Sequence, residues 1–417
     1  MRNDNLKFND IFWNTLGTCT YSAVSLVISV VIINLTGKIE GGIFSFGFST
    51  LARLVFTGTF FGIRPLHIVD VKYRYSFDDY VRFGIKTAFI SLLCGLIFIG
   101  YRYKTGNYTS VKSILLIVLV VHGVIDGFAD YFECEYQRVN KLNMSGQSVF
   151  FRIVTFTAVL IITLYMTNSL LLAEICAVVA EIIAFYILNV KRSANIFKTA
   201  KLYDKKENSL LREALPLFII TFLDLYIFSS AKLVVDASLS DVASGFFALL
   251  FMPTNGIYLL MSLFMKPVLT PLSNAYHSDK KDYNKILLNS FLIALGVSIL
   301  FVVGTIFFGE YYLKLIYFLT QNNYFEYSDI ANELLLIVII GGCFYTLCTP
   351  MYFSLIIESK QTYLMVAYTI VAIVSFYISE RFADNLGLLG AAYGFCLSMF
   401  LIFIGVIIAK AFTLIIK

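Results

Sequence analysis

Charge is scarce in this sequence. Only 14% of its 417 residues are Asp, Glu, Lys or Arg, against about 25% in an ordinary soluble domain. That excludes a water-soluble globular protein. The formal net charge of +5 reflects where Lys and Arg lie along the chain, so no nucleic-acid partner is expected. Histidine is nearly missing: His67, His122 and His277 stand far apart and share no ligand spacing. No GxSxG, HExxH or phosphate-binding glycine-rich loop occurs, so no catalytic residue, metal or organic cofactor is expected. The seven cysteines are scattered through apolar runs without a CxxC pair, and read as small packing residues. Tryptophan occurs once, as Trp13, at the head of the first apolar run, where an interfacial anchor belongs.

What is present is hydrophobic length. Of the residues, 59% are hydrophobic, gathered into runs of about 18 or more that read as membrane-spanning helices. The runs are continuous rather than alternating, which favours helices over a barrel. Twelve spans are expected, beginning with Ile11–Leu35 and Ile43–Gly62 and ending with Tyr363–Ser379 and Leu386–Ala409. The first has no small-x-small cleavage site and is longer than a signal-peptide core, so it reads as a retained helix. The fold class is therefore an all-α polytopic membrane protein of about 12 transmembrane helices.

With the N-terminus inside, 23 of the 32 Lys and Arg fall in inside segments, six in outside segments and three within spans. Positive charge marks the cytoplasmic side, so both termini are expected in the cytoplasm and the protein in the plasma membrane. Only the basic loop Arg102–Lys112 disagrees. The polar connector Lys191–Glu213 halves the chain into an N-lobe (1–190, six spans), a linker (191–213) and a C-lobe (214–417, six spans). The halves echo one another: Gly42 precedes Arg64-Pro65 much as Gly245 precedes Lys266-Pro267. A parallel repeat of this kind is common in transporters.

Charges inside spans are costly and tend to face a cavity or a partner. Three cations qualify: Arg53, Lys232 and Arg152. Arg suits phosphate oxygens through its fixed fork of donors, so a phosphate- or pyrophosphate-bearing substrate is one reading. The other is structural: salt bridges for Arg53, pairing with Asp236 one turn on for Lys232, and interfacial snorkelling for Arg152. The acids are Asp224 near mid-depth, Asp126, Asp130 and Glu133 along one face of the fourth span, and Glu174 and Glu181 on the sixth. Asp224, Asp126 and Asp236 are the ion-coupling candidates, with counter-ion roles as the alternative. Gly58 and Gly62 allow close helix contact. Pro253 and Pro350 mark kinks or hinges.

Several stretches, taken in order, resemble a known family. They are IFWNTLG at Ile11–Gly17, LTGKIEGGIFSFGFS at Leu35–Ser49, FGIRP at Phe61–Pro65 with Ile68–Asp70 and Tyr75–Tyr80, then Gln137-Arg138 with Leu142. Lys232 with Asp236, and Phe251-Met252-Pro253 leading to Lys266-Pro267, complete the set. The chain resembles the polysaccharide biosynthesis transporter family, the Wzx-type flippases for O-antigen and capsule repeat units. The resemblance implies the multidrug/oligosaccharidyl-lipid/polysaccharide exporter fold, two six-helix lobes around a central cavity. It implies alternating access that moves an undecaprenyl-pyrophosphate-linked oligosaccharide to the outer leaflet, with Arg53 and Lys232 facing the pyrophosphate. H⁺ or Na⁺ would be the coupling ion, and a polymerase and glycosyltransferases of the same pathway the partners. A multidrug cation extruder on the same fold remains the alternative, and would need acids to dominate its cavity. A glycan polymerase or ligase would need a large catalytic outside loop, which the sequence lacks.

Overall fold

The computed structural model describes residues 8–69, 74–194, 207–358 and 360–415. Their regular structure is helical throughout, without a strand among the described residues. Among the described residues, ten helices are long and apolar enough to cross a membrane. The first seven runs are α1 (Phe8–Thr36), α2 (Lys38–Phe60), α3 (Phe77–Lys104), α4 (Ser110–Arg138), α5 (Leu142–Thr167), α6 (Leu170–Ala194) and α7 (Glu207–Ser238). Next come α8, in two pieces (Asp241–Leu250 and Met252–Ser278), α9 (Lys280–Leu319) and α10 (Ser328–Ile357). The last run, Gln361–Ile415, breaks at Gly387, whose φ of 59° and ψ of −132° suit only glycine. It thus comprises α11 (361–386) and α12 (388–415), which brings the runs to the twelve expected. Pro253 lies in the first turn of the second piece of α8, where a missing N–H costs nothing. Pro350 is inside α10. The middle of the polar connector, 195–206, lies outside the described residues.

The chain divides into two compact units, Met1–Phe222 and Leu223–Lys417. In the first unit, glycines set the closest helix approaches. A methyl group on Gly146 of α5 would come within 2.2 Å of the Trp13 carbonyl oxygen on α1, and one on Gly17 within 2.4 Å of the Gly146 carbonyl. Gly123 and Gly127 of α4 meet α2 in the same way, at 2.5 Å from the Ala52 oxygen and 2.8 Å from the Phe56 oxygen. These approaches draw the Arg53-bearing helix onto the face of α4 that carries Asp126 and Asp130. Overpacking such a seam costs about 1–3 kcal/mol. Gly146→Leu is therefore expected to lower the melting temperature of the detergent-purified protein, and an unchanged melt would show that α1 and α5 yield freely.

Two local irregularities aim the site. Gly47–Leu51 forms a π turn inside α2, and the extra residue rotates the remainder of the helix by about 100°. After α2 the chain reverses through Phe61 (φ 56°) and Gly62 (φ 61°). The left-handed Phe61 is held by stacking on Phe218, with ring centroids 4.0 Å apart. A side chain at Gly62 would be crowded as well as strained at its positive φ, since a Cβ would lie 3.1 Å from the Leu217–Phe218 backbone. The short helix Arg64–Val69 comes next.

In the second unit the core is aromatic: Phe246, Phe247, Phe251 and Phe395 are fully buried. Lys410 on α12 meets Glu358 and the Ser354 hydroxyl on and beyond α10, and Tyr283 of α9 donates to the same Glu358 at 2.7 Å. That cluster ties three helices at one end. α9 runs on to Leu319, and Tyr311, Leu315 and Phe318 continue its exposed apolar surface to that end.

Candidate functional site

Within the first unit, α1, α2, α4 and α5 surround a polar recess of about 170 Å³. Its charged lining is balanced: Arg53, Arg64 and Arg152 against Asp126, Asp130 and Glu133. The acids lie at i, i+4 and i+7 on α4, so they share a face, yet they meet different partners. Asp126 accepts from Arg152 at 2.6 Å and from the Tyr21 hydroxyl at 2.9 Å. Asp130 accepts from Arg64 at 2.5 Å. Glu133 lies 3.2 Å from Arg152 and accepts from Ser148 at 3.1 Å. Glu181 of α6 reaches Arg152 at 3.9 Å and holds His122 Nδ1 at 2.7 Å. His122 is sandwiched between Phe156 and Phe48.

The three cations differ in what they present. Arg53 is exposed, lines the recess and donates to the Tyr21 hydroxyl at 3.1 Å. It lies about two turns from the Phe60 end of α2. Arg152 is buried, 3% exposed. Its Nη2 serves Asp126 and Glu133, while Nη1, also buried, has no hydrogen-bond partner among the described residues. A buried guanidinium N–H without an acceptor is costly and suits an incoming oxyanion. Arg64 keeps 38% of its side chain exposed, against 5% for Asp130, and the Asp130 charge pushes its pKa up.

Lys232 lies in the second unit, 6% exposed, with its ammonium over the rings of Phe251 (4.2 Å) and Phe228 (5.3 Å). Asp236, one turn on, is also buried. Asp224 accepts from the Tyr345 hydroxyl at 2.6 Å, and its Oδ1 is buried without a partner among the described residues. The structure thus gathers Arg53, Arg152 and Asp126 into one recess and puts Lys232, Asp224 and Asp236 in the other unit.

Behind the recess, His67 is fully buried, stacked on Tyr80 at 3.7 Å, with Nε2 2.7 Å from Glu135. Its Nδ1 has no partner among the described residues, which suits the neutral ring donating through Nε2. Burial pulls the His67 pKa down, and the weaker pull of Glu135 acts the other way. The unfolded chain therefore binds the proton more readily. Stability from neutral His67 is complete above the unfolded value of about 6.5 and is lost as pH falls through the lower folded value. Melting temperature is expected to drop as pH falls from about 7.5 to about 5.5, and His67→Gln to flatten that slope. An identical slope in the variant would remove His67 as the cause.

No protein-family model matches the chain, and no curated protein sequence matches it. Solved structures do. The lipid II flippase MurJ in an inward closed conformation aligns with a TM-score of 0.71 at 17% identity, over 95% of this chain and 87% of that one. An inward-facing MATE-family multidrug transporter of the MOP superfamily aligns at 0.66 and 12%, over 96% and 97%. The MATE multidrug transporter DinF-BH aligns at 0.63 and 15%, over 95% and 93%. At such identities the likeness is one of fold: this chain shares the fold of these three structures.

Proposed function

We propose that the protein is a flippase that carries an undecaprenyl-pyrophosphate-linked oligosaccharide across the plasma membrane by alternating access, for O-antigen, capsule or exopolysaccharide assembly. It works as a transporter rather than an enzyme, with both termini in the cytoplasm and with the polymerase and glycosyltransferases of the same pathway as its functional partners. One observation carries the reading: a recess among membrane-spanning helices that Arg53 lines and in which Arg152 holds an unsatisfied N–H. At about 170 Å³ it is smaller than the roughly 300–1,000 Å³ of a drug-sized pocket. It suits a diphosphate headgroup, leaving sugars and prenyl chain outside it. Arg53 and Arg152 are the diphosphate contacts of the N-lobe (1–190). Lys232 is the cation of the C-lobe (214–417). Asp126, Asp224 and Asp236 are the candidates to carry the coupling H⁺ or Na⁺.

Three carboxylates in the recess favour the second reading, a multidrug cation extruder. Each of them already pairs with a guanidinium, so the acids do not dominate. Proteoliposomes separate the two. With undecaprenyl-pyrophosphate-linked oligosaccharide in the bilayer, the expected result is protein-dependent exposure of glycan to an impermeant glycosidase. Extrusion of a fluorescent organic cation without glycan movement would overturn the proposal.

A further inference from the structure

We infer that Arg64 is the second bidentate phosphate-binding fork of the recess, beside Arg53, and the one that makes it prefer a diphosphate to a single phosphate. The inference rests on the flippase reading and specifies how that site selects its anion.

The chain geometry is the first argument. An arginine just past the cytoplasmic end of a span ordinarily snorkels outward into water and headgroups. Arg64 does the opposite. The left-handed pair Phe61 and Gly62 turns the chain back on itself. Stacking of Phe61 on Phe218 and the packing of Gly62 on the Leu217–Phe218 backbone hold that turn. A bulky residue at positive φ is strained, and here the strained turn points Arg64 into the recess.

The second argument is donor capacity. A guanidinium has five N–H donors on a rigid fork. Asp130 is met through Nη1 at 2.5 Å, and the rest of a 38% exposed side chain still borders the recess. Arg64 can keep Asp130 and offer its other edge to an oxyanion. Asp130 then serves as the positioning residue: it fixes the fork and offsets its charge while the recess is empty.

The third argument is number. A diphosphate has two phosphoryl groups, and bidentate guanidinium contacts recognise one each. Arg53 and Arg64 reach the same recess from opposite sides of the turn that ends α2, eleven residues apart in sequence. Arg152, with Nη2 and Nε turned to Asp126, Glu133 and Glu181, adds the single N–H of Nη1 rather than a fork, so Arg53 as the one fork would serve a monophosphate as well as a diphosphate. Two forks discriminate.

The test is a ratio, measured on the full-length purified protein with inorganic pyrophosphate and inorganic phosphate as probes. Wild type is expected to bind pyrophosphate about tenfold or more tighter than phosphate, since a second charge-assisted fork is worth at least that much. Arg64→Ala is expected to lose most of that preference while phosphate affinity holds, and Arg53→Ala to weaken both anions. Arg64→Lys, which keeps the charge and loses the fork, is expected to fall between. Because Arg64→Ala leaves Asp130 buried without its cation, the Arg64→Ala/Asp130→Asn pair is measured beside it and is expected to show the same lost preference. If Arg64 is only a counter-ion for Asp130, the pair melts like wild type and the ratio is unchanged, which overturns the inference alone. Absence of any anion binding in wild type overturns the inference together with the reading it rests on.

Discussion

Arg152→Ala is expected to destabilise the first unit by about 3–5 kcal/mol, the range for removing one partner of a buried charge pair. The reason is what it leaves behind. Asp126 and Glu133 are only 6% and 3% exposed at the side chain, and both lean on Arg152. Tyr21 and Ser148 would still donate to them, but neutral hydroxyls do not offset two carboxylate charges at that depth. Glu181 would keep His122 and lose its more distant contact with Arg152. The measurable result is a sharp fall in the yield of monodisperse protein after detergent extraction, and a lower melt of whatever survives. Adding Asp126→Asn and Glu133→Gln to Arg152→Met is expected to restore most of the yield, because the cost lies in uncompensated charge rather than lost volume. If Arg152→Ala melted like wild type, the three-carboxylate network would not be holding α4, α5 and α6 together.

That network also shows where sequence reasoning stops. The spans were legible because hydrophobic length is a one-dimensional property, and the face shared by Asp126, Asp130 and Glu133 follows from helical spacing. Which cation each acid meets depends on helix rotation, and two irregularities set that rotation. The π turn at Gly47–Leu51 re-aims Arg53, and no residue in GFSTL announces it. The left-handed Phe61 turns Arg64 inward, whereas Arg-Pro after an apolar run reads as a cytoplasmic stop. His122 and His67 stand alone in sequence, yet each binds a glutamate 59 or 68 residues away. Tyr21 had no local signal, being one apolar-run aromatic among 27 tyrosines. The small-residue pair Gly123 and Gly127, four apart on one helix face, was a readable cue: it marks the seam that presses α2 onto the acids of α4.

Arg53→Ala is expected to abolish glycan translocation with little change in fold, the opposite signature to Arg152→Ala. Arg53 is exposed and lines the recess, so truncation opens space there, and Asp126 keeps Arg152 and Tyr21. A bidentate, charge-assisted contact to phosphate is worth up to about 3 kcal/mol, or roughly a hundredfold in rate when it acts only as the headgroup crosses the apolar layer. Arg53→Lys keeps the charge without the fork and is expected to retain partial activity. Tyr21→Phe removes the hydroxyl that accepts from Arg53 and is expected to lose less than Arg53→Ala, since the guanidinium remains. Expression in a strain lacking its own flippase gives the readout: membrane levels of each variant against surface glycan and lipid-linked glycan retained on the inner leaflet. Normal surface glycan with Arg53→Ala at wild-type abundance would remove this arginine from the transport path. Lost glycan with lost protein would show that the fold depends on Arg53, as it is expected to depend on Arg152, and the comparison of the two variants decides between those outcomes.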